Sequence, residues 1–420
     1  MTPTTARAQS PSLISTLRPE AESRLQNYLG GVSDLLRTKR RREGFAMYAC
    51  GIFGDGDRKS VEPIAARACG APENTDAMHR KLLRFVGESE WSDRPIREYA
   101  ARYAITEMEK RGAIEHWIID DTGFIKQGKF SPGVQRQYTG SAGKTTNCQV
   151  AVSLTLATAH AHVLVDMDLY LPESWAADRK RCRAAKIPDD VEYRPKWEIA
   201  LEQIERAVAA NLPRGIVLAD ADYGNKARFR ERLDELKLSY AVAIQKNTCV
   251  RLVQGTGRRR EVGERVSVED LAFVLDPKQI RKVTWREGTK TTMSASFALV
   301  RVEPVPSDVA PQREQWLIIE WPDDSHLPTK YALATLPRRW SHRQIIRAFK
   351  ERWRTERAYQ DLKGELGLDH FEGRSYRGWH HHVTIVLCCY AFLVAEQARA
   401  FPPSRVQIPG LANRSLEHAA

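Results

Sequence analysis

The stretch FKERWRTERAYQDLK places an aromatic ring, an arginine, a glutamate and a lysine at positions 349, 352, 356 and 363. Drawn as a helix at about 100° per residue, Phe349, Arg352, Glu356 and Lys363 fall within an arc of about 60°, one side chain above another. A carboxylate flanked by two cations along one stripe suits a group that holds a metal ion while its neighbours hold phosphates. The same spacing also makes Arg352 and Glu356 an ordinary i,i+4 pair, worth about 0.2–0.5 kcal/mol. Two further acids end apolar runs: Asp120 closes WIID and Asp220 closes IVLAD. The ends of strands at one edge of an α/β sheet are where such folds build their sites. Either aspartate alone serves equally well as a turn or cap residue. Three carboxylates meeting from two strands and a helix repel one another unless cations intervene. Mg²⁺ takes oxygen ligands, and a pair of such ions supports in-line displacement at phosphorus.

These residues need a scaffold, and the composition bounds it. The 420 residues are 42% hydrophobic and 28% charged, values of a globular chain of two or three domains. A net charge of +12 suits a polyanionic partner, either nucleic acid or an anionic membrane surface, and equally a basic but ordinary soluble enzyme. The N-terminus has no apolar signal segment, and the longest apolar run, 383–395, is too short to cross a bilayer. The seven cysteines form no CxxC pair and read as reduced thiols. A soluble, intracellular protein is therefore expected, with nucleic acid as its partner and no membrane.

Along the chain, residues 1–20 are rich in Ser, Thr and Pro and are expected to be disordered. Residues 21–112 read as helical, with Phe45, Tyr48 and Ile52 on one face. VEPIAARACGAPENTDAMHRKLLRFVGES resembles a helix-turn-helix, as any αα-hairpin does. The run Lys39–Arg42 suits phosphate contacts or a solvated helix face. From 113 to 245 strand-like runs (HWIIDD, CQVAVSLTLA, HVLVDMDLYL, GIVLADADYG, SYAVAI) mix with helices, one carrying Trp197, Leu201, Ile204 and Val208 on one side. Residues 246–335 are β-rich. A single helix is expected to start at Ser341 and carry Phe349 through Lys363, and a second, apolar helix runs from about 380 to 398. The tail, 400–420, is expected to be loose.

FKERWRTERAYQDLK resembles the Y-x-x-R-x-x-x-E-x-x-x-x-x-x-K signature of bacterial insertion-sequence DDE transposases of the insertion-sequence-four clan. IDDTGF, GVQRQYTGSAGKTTNCQVAVSL, VLADADYG and GLDHFEGRSYRGWHHH are similar to the branch named for insertion sequence seven-hundred-and-one. The resemblance spans about 40–395. It implies an α/β fold: a ribonuclease-H-like catalytic core (113–245 and 336–399), interrupted by the β-rich insertion and preceded by an N-terminal helical DNA-binding domain. It makes Asp120, Asp220 and Glu356 the catalytic, metal-binding triad for two Mg²⁺ ions, with Mn²⁺ as a substitute. Asp121 is the rival for the first place, and Asp120 is preferred because the family's common form is Asp-x-Thr. Arg352 and Lys363 fall on positions that grip transposon-end phosphates. Phe349 departs from the signature tyrosine and lacks its hydroxyl. The implied activity is cut-and-paste transposition on double-stranded DNA: metal-dependent strand cleavage, hairpin ends and strand transfer. The implied setting is a homodimer on DNA in the bacterial cytoplasm, at the nucleoid.

The loop GRSYRGW adds Arg374, Tyr376, Arg377 and Trp379, a mixture of cations and rings that suits a distorted DNA end or a glycine-rich turn. Trp285, Trp316 and Trp321 are candidates to stack on a flipped base or to fill a core. Two other readings are open: a degenerate transposase that only binds DNA, and a dimeric aspartic protease built on Asp121-Thr122-Gly123. GSAGKTT lacks the first glycine of a phosphate-binding loop, and the adjacent His380, His381 and His382 point around a helix and cannot share one metal ion.

Overall fold

The computed structural model describes residues 20–400, apart from 70–71, 256, 288–291, 306–312 and 324. The expectations for 1–19 and 401–420 lie outside the described residues. Five helices lead: α1 (Ala21–Leu35), α2 (Lys39–Phe53), α3 (Val61–Ala68), α4 (Thr75–Gly87) and α5 (Arg94–Glu109). There follow β1 (His116–Ile125), β2 (Gln135–Thr139), β3 (Lys144–Ala157), β4 (His162–Leu169), α6 (Glu173–Ala176), α7 (Arg179–Ala184) and α8 (Lys196–Ala209). Next come β5 (Ile216–Ala219), α9 (Ala221–Gly224), α10 (Ala227–Glu235) and β6 (Tyr240–Ile244). The β-rich stretch contributes β7 (Cys249–Gln254), β8 (Glu261–Ser267), α11 (Val268–Val274), β9 (Arg281–Glu287), β10 (Thr292–Pro304), β11 (Gln315–Trp321) and β12 (Lys330–Ala334). The chain closes with α12 (His342–Phe349), a 3-10 turn (Lys350–Arg352), α13 (Trp353–Gly364) and α14 (Tyr376–Ala400).

All the strands join one mixed twelve-stranded sheet, ordered β2-β3-β1-β5-β6-β12-β11-β10-β7-β8, with β4 also on β3 and β9 on β10. Strand β1 pairs antiparallel with β3 and parallel with β5, and β5 is parallel to β6. The β-rich stretch continues the same sheet, because β12 lies against β6. Strands β2 and β8 were not foreseen: QRQYT and EVGERVS are too polar to signal a strand and are recruited by pairing with β3 and β7.

Because side chains alternate along a strand, β1 serves two layers. Trp117 and Ile119 join the large core shared with the leading helices, while Ile118 joins a second core with Ile345, Ile346 and Phe349. The helical face foreseen on α8 is turned: Ile199, Gln203 and Ile204 are buried, whereas Trp197 and Leu201 only flank the core. Helix α14 is long and apolar enough to span a bilayer, yet it is wrapped by protein and 83% of its most apolar window is buried. Phe45, Tyr48 and Ile52 are all buried, as their spacing predicts.

Two buried polar clusters fasten α14. Arg97 on α5 donates to Thr384 Oγ1 at 2.8 Å, Asp166 at 2.8 Å, the Met167 carbonyl at 2.7 Å and Asp93 at 2.8 Å. Arg206 of α8 also clasps Asp166 and Asp168, and the guanidiniums facing Asp168 outweigh its burial and hold it well below the usual carboxylate range. His382 accepts from Tyr48 Oη at 2.9 Å and donates Nε2–H to the Gly367 carbonyl at 3.1 Å, so its neutral form is fully satisfied. Its neighbour His381 faces two carbonyl oxygens, of Val86 and Trp91, and only the charged ring could donate to both, so these partners oppose the effect of its burial.

Burial pushes His382, His116 and His162 each down to about 4. A histidine buried neutral binds no proton where its unfolded counterpart, near pH 6.5, does. Its stabilisation is complete above pH 6.5 and is lost as pH falls toward 4, by about 3 kcal/mol per ring. Asp120, whose carboxyl burial raises to about 7, works the other way but is outnumbered. The melting temperature is expected to be level from pH 8 to 7 and to drop steeply below 6. A flat profile to pH 4.5 would mean that the rings protonate in place.

Candidate active site

Residues Ile118 of β1 and Leu218 of β5 are in parallel register, so Asp120 and Asp220, each two residues farther on, emerge side by side. Asp220 ends its strand and caps α9, accepting from the Asp222 amide at 2.9 Å. Arg352 answers both acids: its Nη2 lies 3.4 Å from Asp120 Oδ2 and 3.9 Å from Asp220 Oδ2. A cleft of about 570 Å³ opens beside them, lined by Asp120, Asp121, Thr122, Arg352, Glu356 and Lys363 among others, with Asp220 outside this lining and reached through Arg352. The structure thus joins Asp120 to Asp220 through Arg352, and Asp120 to Glu356 through the cleft that both line. Among the described residues, however, no three acid, histidine or cysteine side chains converge tightly enough to hold one metal ion together.

Burial raises Asp120 to about 7, with Arg352 opposing and Asp220 and Asp121 adding to the rise. Burial also raises Asp220, again against Arg352 and with Asp222 adding. Burial works against the charge of Arg352, but Asp120, Asp220 and Glu356 outweigh it and keep the group cationic. The guanidinium Nε is buried without a hydrogen-bond partner, so the arginine is held by its charge partners rather than by a closed set of hydrogen bonds.

Alternation along β1 separates Asp121 from Asp120. Asp121 turns toward Lys196 at the start of α8, whose Nζ lies at 2.7 Å, and Tyr223 of α9, whose Oη donates at 3.2 Å. Lys196 also reaches Asp222 at 2.9 Å. Asp121 therefore has its own cation, and Asp120 is the acid that shares Arg352 with Asp220. Gly123 of the Asp-Thr-Gly triplet has a local reason: a Cβ there would fall 2.0 Å from Thr139 Oγ1. Lys196, Tyr223 and Ser141 went unnoticed in the sequence, which shows no spacing that links them to β1. So did the 2.6 Å hydrogen bond between the hydroxyls of Tyr359 on α13 and Ser153, the residue opposite Asp120 on β3.

The single helix expected through 341–363 is broken. Ser341 caps α12 with a capping box, but α12 ends at Phe349 and the 3-10 turn Lys350–Arg352 precedes α13. The turn faces two ways: Lys350 Nζ is drawn to Glu320 at 2.6 Å, and Arg352 reaches the aspartates. The tighter winding ends the common stripe. Phe349 is not in the cleft; it is buried with Ile345 and Ile346. Glu356 is exposed on the first turn of α13.

Lys363 donates to Thr122 Oγ1 at 2.9 Å, the Gly123 carbonyl at 2.7 Å and Ser141 Oγ at 3.1 Å, and burial lowers it. Arg374 and Arg377 lie outside this cleft. Arg374 sits over the ring of Phe130 at 5.2 Å, and Arg377 pairs with Glu90 at 3.3 Å. Trp379 does not face outward; it is buried edge-on to Phe124. Trp321 is also buried, and Trp316 donates to the Leu336 carbonyl at 3.1 Å. Trp285 is half-buried under Lys350.

The sequence profile of a family described as "DDE superfamily endonuclease" matches residues 31–292. The chain belongs to this family. The matched stretch holds Asp120 and Asp220 but stops before α12, so Arg352, Glu356 and Lys363 lie outside it. Over 230 residues the chain is 30% identical to a protein of Microchaete diplosiphon named "Probable transposase for insertion sequence element IS701". That match covers 54% of this chain and 56% of the relative, so the chain spans about half the length of the curated protein it matches. DDE endonucleases generally use divalent metal ions. The donors here suit a hard cation: all are carboxylate oxygens, and two of them already share one positive charge.

Proposed function

We propose that this chain is a DNA transposase of the insertion-sequence type, working by metal-dependent strand cleavage and strand transfer at the Asp120–Asp220–Glu356 cleft. The observation that carries this reading is the meeting of Asp120 and Asp220 on Arg352 just beyond the parallel pairing of β1 with β5, with Glu356 lining the cleft beside Asp120; Asp120 does not end its strand as expected, since β1 runs on to Ile125. The antiparallel β4-β3-β1 set followed by parallel β5 and β6 supports a ribonuclease-H-like core; a DNA-binding role for α1–α5 is part of the proposal and rests on the family resemblance alone.

Asp120, Asp220 and Glu356 would hold two Mg²⁺ or Mn²⁺ ions. Bound there, such ions activate an attacking oxygen and stabilise the leaving one. The chain's own residues do the rest. Arg352 neutralises the aspartates in the free protein and meets a phosphate when DNA arrives. Lys363 adds a second cation on the same wall. The Tyr359–Ser153 bond fixes α13 against the strand that carries Asp120. The substrates are double-stranded element ends and then target DNA, in a cut-and-paste sequence with hairpin ends. A homodimer bridging two ends, acting at the nucleoid in the cytoplasm, completes the reading.

The test is a supercoiled plasmid carrying this gene with its flanking DNA. Purified protein with Mg²⁺ should nick at the tips of inverted repeats and leave 3′ hydroxyls. A folded protein that binds this DNA but never nicks it would leave only a DNA-binding role.

Two further outcomes are expected. Millimolar Mn²⁺ should raise the melting temperature of the wild type, since an ion bound only by the folded state stabilises it by mass action. Asp220→Asn should lose that rise; an equal rise in both proteins would place the ion elsewhere. Lys363→Ala should weaken end binding and lower the salt slope, d log K/d log [salt], by about 0.9, the signature of one lost phosphate contact. An unchanged slope with a lower melting temperature would assign Lys363 only to tying α13 to β1.

A further inference from the structure

A second concave surface runs beside α12. It is an open groove of about 730 Å³ whose walls include Arg281, Lys282 and Thr284 of β9 and Ser341, His342 and Arg343 at the start of α12. Among the described residues, no carboxylate pairs with Arg281, Arg343 or Arg347, the last one turn beyond Arg343 on the same helix. Lys282 is the exception, 2.8 Å from Asp323. The apolar side chains beneath, Phe297 and Leu299, are buried. The groove therefore offers mainly cations, and the ring in its wall, the half-buried His342, already meets Trp316 edge-on, unlike the open stacking platforms of surfaces built for single strands.

The groove points at the acid cleft. Strand β9 runs alongside α12 and the 3-10 turn: Arg281 lies by His342 at one end, and Arg286 stacks over Trp353 at 4.0 Å at the other. From Arg281 to Arg286 the strand spans about 17 Å. From Arg343 to Arg352 the helix and turn span about 15 Å. At about 3.4 Å of rise per base pair, both correspond to about five base pairs of duplex.

We propose that the groove between β9 and α12 holds the phosphate backbone of duplex DNA about five base pairs from the reacting phosphate, without reading its sequence. The proposal rests on the acid cleft being the site of DNA cleavage. Arg281 and Arg343 grip the backbone from opposite walls, and Arg347 extends the row toward the cleft.

The experiment compares wild type with the double variant Arg281→Gln/Arg343→Gln, both exposed positions. The probes are element-end duplexes with ten base pairs on each side of the cut, or trimmed to three on one side or the other. On the long duplex the variant should bind about tenfold more weakly, with a salt slope lower by nearly two. On one of the trimmed duplexes wild type and variant should bind alike. Equal binding of the long duplex by both proteins would overturn the proposal, as would a loss that persists on both trimmed duplexes. Nicking is read in the same reactions. If wild type nicks while the variant binds normally, the groove assignment alone falls; if wild type nicks nothing, the acid-cleft reading falls and takes the groove with it.

Discussion

Asp120→Asn is expected to cut DNA at least a thousandfold more slowly than wild type while melting at the same or a higher temperature at pH 8. The rate loss follows from removing a carboxylate from the set that would hold the metal ions; a thousandfold is about 4 kcal/mol of transition-state stabilisation. The stability gain has a separate cause. Burial raises this carboxyl to about 7, above its unfolded value, so its contribution is favourable only at low pH and is lost as pH rises through 7. At pH 8 the ionised group opposes folding, and a neutral amide of the same shape removes that penalty. Glu356→Gln should lose cutting to the same degree with no change in melting, because Glu356 is exposed. Both variants should still bind element ends. Intact cutting by either, or loss of folding and cutting together, would remove that residue from the chemistry. Asp121→Asn offers the contrast: it unbalances Lys196 and should cost stability before rate.

The largest effect on folding is expected at Arg97. Its guanidinium is 4% exposed and satisfies Asp93, Asp166, Thr384 and the Met167 carbonyl at once, joining α5, β4 and α14. Arg97→Ala leaves those carboxylates without their shared cation, a change that typically costs about 3–5 kcal/mol. Urea denaturation should show the midpoint falling with little change in slope. Arg97→Lys should recover only part of the loss, because one ammonium cannot reach around the fork of partners. A fall below about 1 kcal/mol would show that Arg206 alone can neutralise Asp166 and Asp168.

What could be read in advance depends on where the forces act. WIID and IVLAD announce their strands because a buried parallel strand must be apolar along its length and can turn polar only where it ends. Asp220 does stand at such an end, but Asp120 does not: β1 continues to Ile125 in antiparallel pairing with β3, and only its parallel pairing with β5 stops before Asp120. The spacing of Glu356 from Arg352 and Lys363 fits an ordinary i,i+4 pair as well as a site, and it is the resemblance that singles it out. The 3-10 turn was not visible, because nothing in KER forbids an α-helix; the break accompanies the meeting of Lys350 with Glu320, which lies on β11. Phe349 consequently fills a core instead of facing the cleft. Lys196 and Arg97 were missed for the same reason: their partners lie 75 positions away in the first case and 69 in the second. Trp379 misled because its loop neighbours are arginines, although its own side chain continues the buried face of α14.

The wrapping of α14 by helices from the opposite end of the chain sets an order of events during synthesis. Residues 21–109 leave the ribosome first, but the helix they enclose begins at Tyr376. At ordinary elongation rates that interval is on the order of tens of seconds. For all of it, Tyr28, Phe45, Tyr48, Ile52 and Phe85 lack the part of their cover that α14 supplies. The nascent chain is thus a natural client for holding chaperones, and truncated products should precipitate where the finished protein does not.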